Sequence, residues 1–333
     1  MNNLLSLSIL ILSSFLLSII LVKWLISITS RFNIIDKPSS RRVHSKPTPR
    51  GGGLAFVITF CLLFPTFEYF CLGELYNSEK VILIFAPIAL VSFLDDIAEV
   101  PILFRLLIHI ICSVLAVMWL IHPYKILHSE VSLNVDLIIG SFALLTFLNV
   151  YNFLDGIDGI TVSESIHLSL VILILCFIKY DIIPNVRIII TIASIIFGWS
   201  CGFILFNWQP ASIFIGDVGS ISLGFILGIC LLTVASGSDR LFAACVISSL
   251  YYIADGSLTL LIRLVKREKI WQPHLQHFFQ KAVKKGLSHK VVVLRIIKCN
   301  FILMLLSIGS LFYPVTCIIL GVLTVGVTLI RSV

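Results

Sequence analysis

Charge is what this sequence has least of. Of its 333 residues, 12% are Asp, Glu, Lys or Arg, against about 25% in an average soluble domain. Polar stretches long enough for a separate soluble domain are lacking too, while 59% of residues are hydrophobic. A soluble globule of this size cannot hide so much apolar surface, so a soluble enzyme is excluded, as are a disordered chain and a coiled coil. Cysteine pairing is also missing. The nine cysteines are odd in number, contain no CxxC and lie mostly inside apolar runs. They read as small packing residues rather than as disulfide, metal or redox groups. No internal repeat is found, which weakens a transporter reading, since such proteins are often built from repeated halves.

What is present is apolar length. A bilayer crossing needs about 20 apolar residues, and such runs lie near 4–28, 52–72, 80–95, 102–122, 135–151, 160–178, 187–206, 218–236, 241–264, 292–308 and 311–330. The expected fold is therefore all-α, a polytopic transmembrane helical bundle of about 11 spans, with residues 1–333 as one integral membrane domain. The first run carries Lys23 near its C-terminal end and no small-residue cleavage site follows, so it is expected to stay in the mature protein.

The cations sort the loops onto two sides. Segment 31–50 holds six Lys or Arg, segment 263–298 holds ten, and Arg331 lies near the end. With eleven spans these seventeen share one side, and five (Lys80, Lys125, Lys179, Arg187, Arg240) fall opposite. The positive-inside rule puts the seventeen in the cytoplasm, with the N-terminus outside and the C-terminus inside. The short connections on that side carry Asp95, Asp96, Glu99, Asp155, Asp158 and Asp217, with Arg105 the one nearby cation.

Carboxylates gathered at the edge of hydrocarbon must be neutralised by protons, by the flanking basic loops or by a divalent metal. Hard oxygen ligands from separate loops suit Mg²⁺ together with substrate phosphates, and the basic rim suits an anionic substrate. An acidic centre inside a basic rim reads as metal-assisted phosphoryl transfer on a cytoplasm-facing cleft. Asp95 and Asp96 are adjacent, and like charges this close raise one pKa, which could poise one as a base. In NVYNFLDGIDG, Asn149, Asn152, Asp155 and Asp158 recur every third residue, so the first members share a face if the start is helical. Asp217 opens the eighth run, where it either caps the helix or holds a metal beside a phosphate. Phe214, three residues earlier, is exposed enough in principle to stack on a base, although an aromatic at a membrane edge is more often an interfacial anchor. The prolines and glycines of DKPSSRRVHSKPTPRGGG (36–53) make a shaped loop. Glu164, Asp255 and Arg105 are ionisable groups inside runs, each a weak functional pointer.

Five segments, in order along the chain, resemble the polyprenyl-phosphate N-acetylhexosamine-1-phosphate transferase family, the MraY- and WecA-like glycosyltransferases of family 4. They are DKPSSRRVHSKPTPRGGG (36–53), FLDD (93–96), NVYNFLDGIDG (149–159), FIGDVGS (214–220) and HFFQKAVKKGLSH (277–289). The resemblance implies that the phosphate of a polyprenyl phosphate attacks the sugar-linked phosphorus of a UDP-sugar. UMP leaves and polyprenyl-diphospho-sugar forms, with Mg²⁺ required and Mn²⁺ as an alternative ion. It implies Asp95, Asp96 and Asp217 as catalytic residues, with Asp217 and Asn152 on the metal. Asn149, Asn152, Asp155, Asp158, Phe214, His277, Gln280, Lys281, Arg41 and His44 are then substrate-binding residues. The implied partners are the UDP-sugar donor, the polyprenyl phosphate acceptor and the lipid bilayer, without nucleic acid, and a homodimer is compatible with the sequence. The last segment departs from relatives with two or three consecutive histidines. Its H-x-F-Q-K arrangement, and DGSLTLLIRL (255–264), are similar to the branch that initiates O-antigen synthesis in the cytoplasmic membrane. A phosphotransferase using a CDP-linked donor is the other enzyme class, but the Ala-Arg expected after its acidic core is replaced by Ile160–Thr161.

Overall fold

A computed structural model describes residues 2–31, 35–36, 48–73, 76–98, 100–121, 124–127, 131–269, 272 and 274–332. Thirteen α-helices carry nearly all of them. In chain order they are α1 (Asn2–Arg31), α2 (Leu54–Phe67), α3 (Tyr76–Ala98), α4 (Ile102–Ala116), α5 (Leu133–Phe153), α6 (Ile160–Ile178), α7 (Val186–Asn207), α8 (Asp217–Ala235), α9 (Asp239–Ser248), α10 (Leu250–Val265), α11 (Phe278–Lys284), α12 (His289–Gly309) and α13 (Pro314–Ile330). Helices α2 and α4 each continue through one π-helical turn, Glu68–Leu72 and Val117–Ile121. Two short strands, β1 (Ile35–Asp36) and β2 (Thr48–Pro49), pair antiparallel.

The eleven apolar runs all correspond to helices, and the chain is a multi-pass membrane protein. Among the described residues, nine helices are long and apolar enough to cross a bilayer. The run at 241–264 is not one rod: α9 and α10 meet at a 67° bend. The run at 311–330 is a helix of 17 residues. Large apolar side chains on α1, α4, α10 and α13 remain exposed, as a lipid-facing surface requires.

Helix α8 is the axis of the bundle. Every residue from Val218 to Leu231 is buried, and α3, α5, α6, α7 and α9 pack around it. Glycine permits this proximity. Cβ atoms at Gly224 and Gly228 would come within 2.8 and 2.5 Å of Tyr151 and Leu144 on α5. Gly198 and Gly202, four residues apart on α7, likewise face the backbone of α1, where added Cβ atoms would stand 2.3 and 2.7 Å from the carbonyls of Ile11 and Phe15. This is the small-residue crossing by which membrane helices associate. The Ser14 hydroxyl of α1 donates to the Ile195 carbonyl at 2.7 Å within the same contact.

Two buried acids serve the scaffold. Glu164 on α6 accepts from the Asn300 amide on α12 at 2.6 Å. Glu68 accepts from the Ser78 amide in the first turn of α3 at 2.7 Å.

Candidate active site

The site is assembled where the connections after α1, α3, α5, α7 and α10 meet at one end of the bundle. Its centre is the start of α8. The first amides of a helix lack internal partners. Here Asp96, in the last turn of α3, accepts from the amides of Asp217 and Val218, both at 3.0 Å. The reading of Asp217 as the cap of its own helix is therefore corrected. Gly216 holds the N-cap position with φ +75°, and a Cβ there would stand 2.6 Å from Asp96 Oδ2. With no side chain at the cap, the carboxylate of a neighbouring helix does the capping, and Asp217 is left to pair with Arg50 and Arg105.

Two arginines bind this acidic centre. Arg50, just after β2, donates from Nη2 to Asp217 Oδ1 at 2.6 Å and lies 3.0 Å from Asp96 Oδ1. Burial opposes its charge, but the carboxylates of Asp217, Asp96 and Asp155 outweigh that and hold its pKa above the usual guanidinium value. Arg105, one turn into α4, pairs through Nη1 with Asp95 Oδ2 and lies 3.4 Å from Asp217 Oδ2. The other oxygen of Asp95 accepts from the Val100 amide at 2.8 Å and closes the α3–α4 turn. Adjacent in sequence, Asp95 and Asp96 thus have separate partners.

Asp155 completes the group of four carboxylates. It follows α5, accepts from the Thr161 hydroxyl at 2.6 Å, and is walled in by protein although part of its surface stays accessible. Burial pushes its carboxyl up to about 7; the Thr161 bond and Arg50 oppose the rise, and the charges of Asp217 and Asp96 add to it. Four carboxylates against two guanidinium groups leave excess negative charge in a confined volume.

Asn149 and Asn152 share one face of α5, as their spacing predicts. Both line a cavity of about 540 Å³ with Arg105, His109, His274 and His277, closed by apolar side chains of α4, α8 and α10. The Asn152 Oδ1 accepts from the Ser220 hydroxyl, one turn after Asp217, at 2.6 Å. Burial, then the neighbouring His277 and Arg263, hold the His274 imidazole down at about 4.

Asp255, fully buried on α10, organises the last motif. Its carboxylate accepts from the amides of Phe278 and Phe279 at 3.0 and 3.3 Å and lies 3.2 Å from His277 Nδ1. Gln280 reaches back to the His277 amide at 3.1 Å, closing a capping box at α11. A Cβ on Gly156 would stand 2.9 Å from the Phe279 ring and 3.2 Å from Gln280 Nε2, so this segment rests against the 154–159 loop.

Other expected site residues lie around this centre. Asp158 belongs to a clamp beside the centre: Oδ2 accepts from the Ala211 amide at 3.2 Å, and Oδ1 lies 3.3 Å from His289 Nδ1. Lys281 sits over the Phe278 ring, 4.7 Å from its centroid. Phe214 is half-buried, with its backbone bonded to Pro49 and Gly52, which ties the first loop to the approach of α8. Arg41 and His44 lie outside the described residues. Helix α4 joins α5, α8 and α10 as a wall of the cavity that Asn149 and Asn152 line, and brings Arg105 and His109.

Sequence reasoning assigned no role to Arg50, His109, Asn207 or Ser220. Asn207 accepts from the Gly159 amide at 3.0 Å and donates to the Ile213 carbonyl at 2.9 Å, joining two site loops. An available clue was that Arg50 is the last arginine before 54 residues without one.

Among the described residues, no group of three or more His, Cys, Asp or Glu is arranged to cage a metal by itself. The donors around Asp217 are nevertheless all hard oxygens. That chemistry fits an ion such as Mg²⁺, which takes one or two carboxylates and completes its shell with water and phosphate.

Residues 80–235 match the family model described as Glycosyl transferase family 4. The stretch runs from α3 to the end of α8 and contains all four central aspartates. The chain is 25% identical to a probable undecaprenyl-phosphate N-acetylglucosaminyl 1-phosphate transferase of Bacillus subtilis (strain 168), over 87% of this chain and 82% of that protein. It is 27% identical to a phospho-N-acetylmuramoyl-pentapeptide-transferase of Rickettsia felis, over 90% and 89%. A protein of the same name from Borrelia hermsii is 26% identical, over 83% and 85%.

Proposed function

We propose that this chain, which belongs to glycosyl transferase family 4, transfers a sugar-1-phosphate from a UDP-sugar to a polyprenyl phosphate such as undecaprenyl phosphate. The products are polyprenyl-diphospho-sugar and UMP. The observation that carries the reading is the meeting of Asp95, Asp96, Asp155 and Asp217, from three separate connections, around Arg50 and Arg105. In the reaction the acceptor phosphate oxygen bonds to the sugar-linked phosphorus, the bond from that phosphorus to the bridging oxygen breaks, and UMP carries the electron pair away.

The chain's own residues supply binding and charge. Arg50 and Arg105, already oriented by the carboxylates, offer guanidinium donors to incoming phosphates, and the remaining negative charge is left for a divalent metal to offset. Asn149, Asn152 and His277 line the adjoining cavity and present polar groups to the reacting phosphates. The apolar closure of that cavity suits an acceptor whose isoprenoid tail cannot leave hydrocarbon. Mg²⁺, held by Asp217 and Asn152, would supply charge neutralisation on the bridging phosphate oxygens.

The finer assignments follow the same reading. The donor is an N-acetylhexosamine or N-acetylated 6-deoxyhexose, supported by the H-x-F-Q-K segment, and the product initiates O-antigen or related cell-envelope polysaccharide. The distribution of cations supports a site on the cytoplasmic face of the cytoplasmic membrane. The test is incubation of purified protein with polyprenyl phosphate and a panel of radiolabelled UDP-sugars, with and without chelator. One donor should give a lipid-linked product and UMP only when Mg²⁺ is present. Full turnover in chelator, or a lipid product with a single phosphate, would overturn the proposal.

A further inference from the structure

A second groove lies between α12 and α13, and it shares no lining residue with the cavity beside the active site. Its volume is about 670 Å³. Three cations, Arg295, Lys298 and Arg331, line one part of it, and Ile302, Leu320 and Leu323 line another. No Asp or Glu lines it. The Thr324 and Thr328 hydroxyls, also in the lining, each donate to a carbonyl of their own helix at 2.8 Å, which leaves the charged side chains to face a ligand. Arg295 Nη1 donates to the Arg331 carbonyl at 3.2 Å, joining the start of α12 to the end of α13.

Lys298 decides what the groove is for. It stands three residues, about 4.5 Å at 1.5 Å per residue, past Arg295, which bonds the end of α13. Its side chain is exposed on the lipid-facing surface, and among the described residues it has no ion-pair partner. An ammonium group at that depth is costly without an anion or a path to the headgroups. Inorganic phosphate would answer the charge but leave the apolar part of the groove empty. A second copy meeting this face about a two-fold axis would bring cation against cation. An anionic lipid satisfies both parts at once.

We propose that this groove binds an anionic phospholipid of the surrounding membrane, its phosphate against Arg295, Lys298 and Arg331 and an acyl chain along Ile302, Leu320 and Leu323. The site is separate from that of the reacting lipid. Native mass spectrometry of the detergent-solubilised protein, titrated with phosphatidylglycerol or phosphatidylcholine, tests it. At about 1 kcal/mol per cation near the membrane surface, Lys298→Gln should weaken phosphatidylglycerol binding roughly fivefold. The triple change Arg295→Gln, Lys298→Gln and Arg331→Gln should weaken it roughly a hundredfold. Leu323→Trp, which fills the groove without touching charge, should also lower occupancy, and Lys266→Gln, outside the groove, should not. Equal binding of the two lipids, equal binding by wild type and variants, displacement by inorganic phosphate or by polyprenyl phosphate, or a change of oligomeric state in the triple variant would each overturn the assignment.

Discussion

At the scale of the residue, the organising fact is that one aspartate caps a helix so that another does not have to. Asp96 takes the first amides of α8, and Asp217 beside them keeps its oxygens for Arg50, Arg105 and ligand. Asp217→Asn keeps the shape and removes the charge. Turnover should fall by at least about 10², the scale of losing one preorganised electrostatic group. The fold should survive, since the cap lies elsewhere, and UMP release alongside a thermal-unfolding scan separates the two effects. Asp155 gives a pH dependence of determined sign. Its folded-state pKa of about 7 lies above the ordinary 3.8, so the folded protein binds the proton more tightly than the unfolded chain. In metal-free protein this group's contribution to stability is greatest below 3.8. It declines as pH rises from there through 7. Unfolding measured in chelator across that range should show the decline in wild type and lack this component in Asp155→Asn.

At the scale of the element, close contacts were the part least visible beforehand. A hydropathy reading finds the run that becomes α7, but it does not show that Gly198 and Gly202 form the face on which α1 lies. That role follows from added Cβ atoms meeting the α1 backbone at 2.3 and 2.7 Å. Gly198→Leu should separate α1 from α7. Because close packing is the main source of helix association in lipid, the variant should lose detergent-resistant folding, read as a lowered unfolding temperature and faster proteolysis after α1. The bend between α9 and α10 was equally hidden, because an unbroken apolar run looks the same whether it is straight or turned by 67°. That bend places Asp255 under α11, where it fixes His277.

At the scale of the whole molecule, the cation count makes a prediction about sidedness. If the seventeen-cation side is cytoplasmic, Cys71, exposed at the far end of the second span, faces outward. A membrane-impermeant maleimide should label Cys71 on intact cells or right-side-out vesicles. A cysteine placed at the exposed Lys285 should react only after the membrane is opened, and the reverse pattern would invert the proposed topology. The site aspartates lie on one side because an even number of crossings separates the first basic loop from the last, and each short acidic connection falls an even number of crossings from either.

The sequence alone determined the membrane class, the eleven apolar runs and the gathering of acidic connections on one side, because hydropathy and charge act locally and need no partner to be read. The motif resemblance supplied the family. Tertiary structure decided which acid caps and which faces the cleft, that Asp158 joins a clamp with Ala211 and His289 rather than the centre, and that Arg50 and Arg105 close the charge array. Those outcomes depend on distances between helices far apart in the chain, and such distances are set by which glycines let backbones touch.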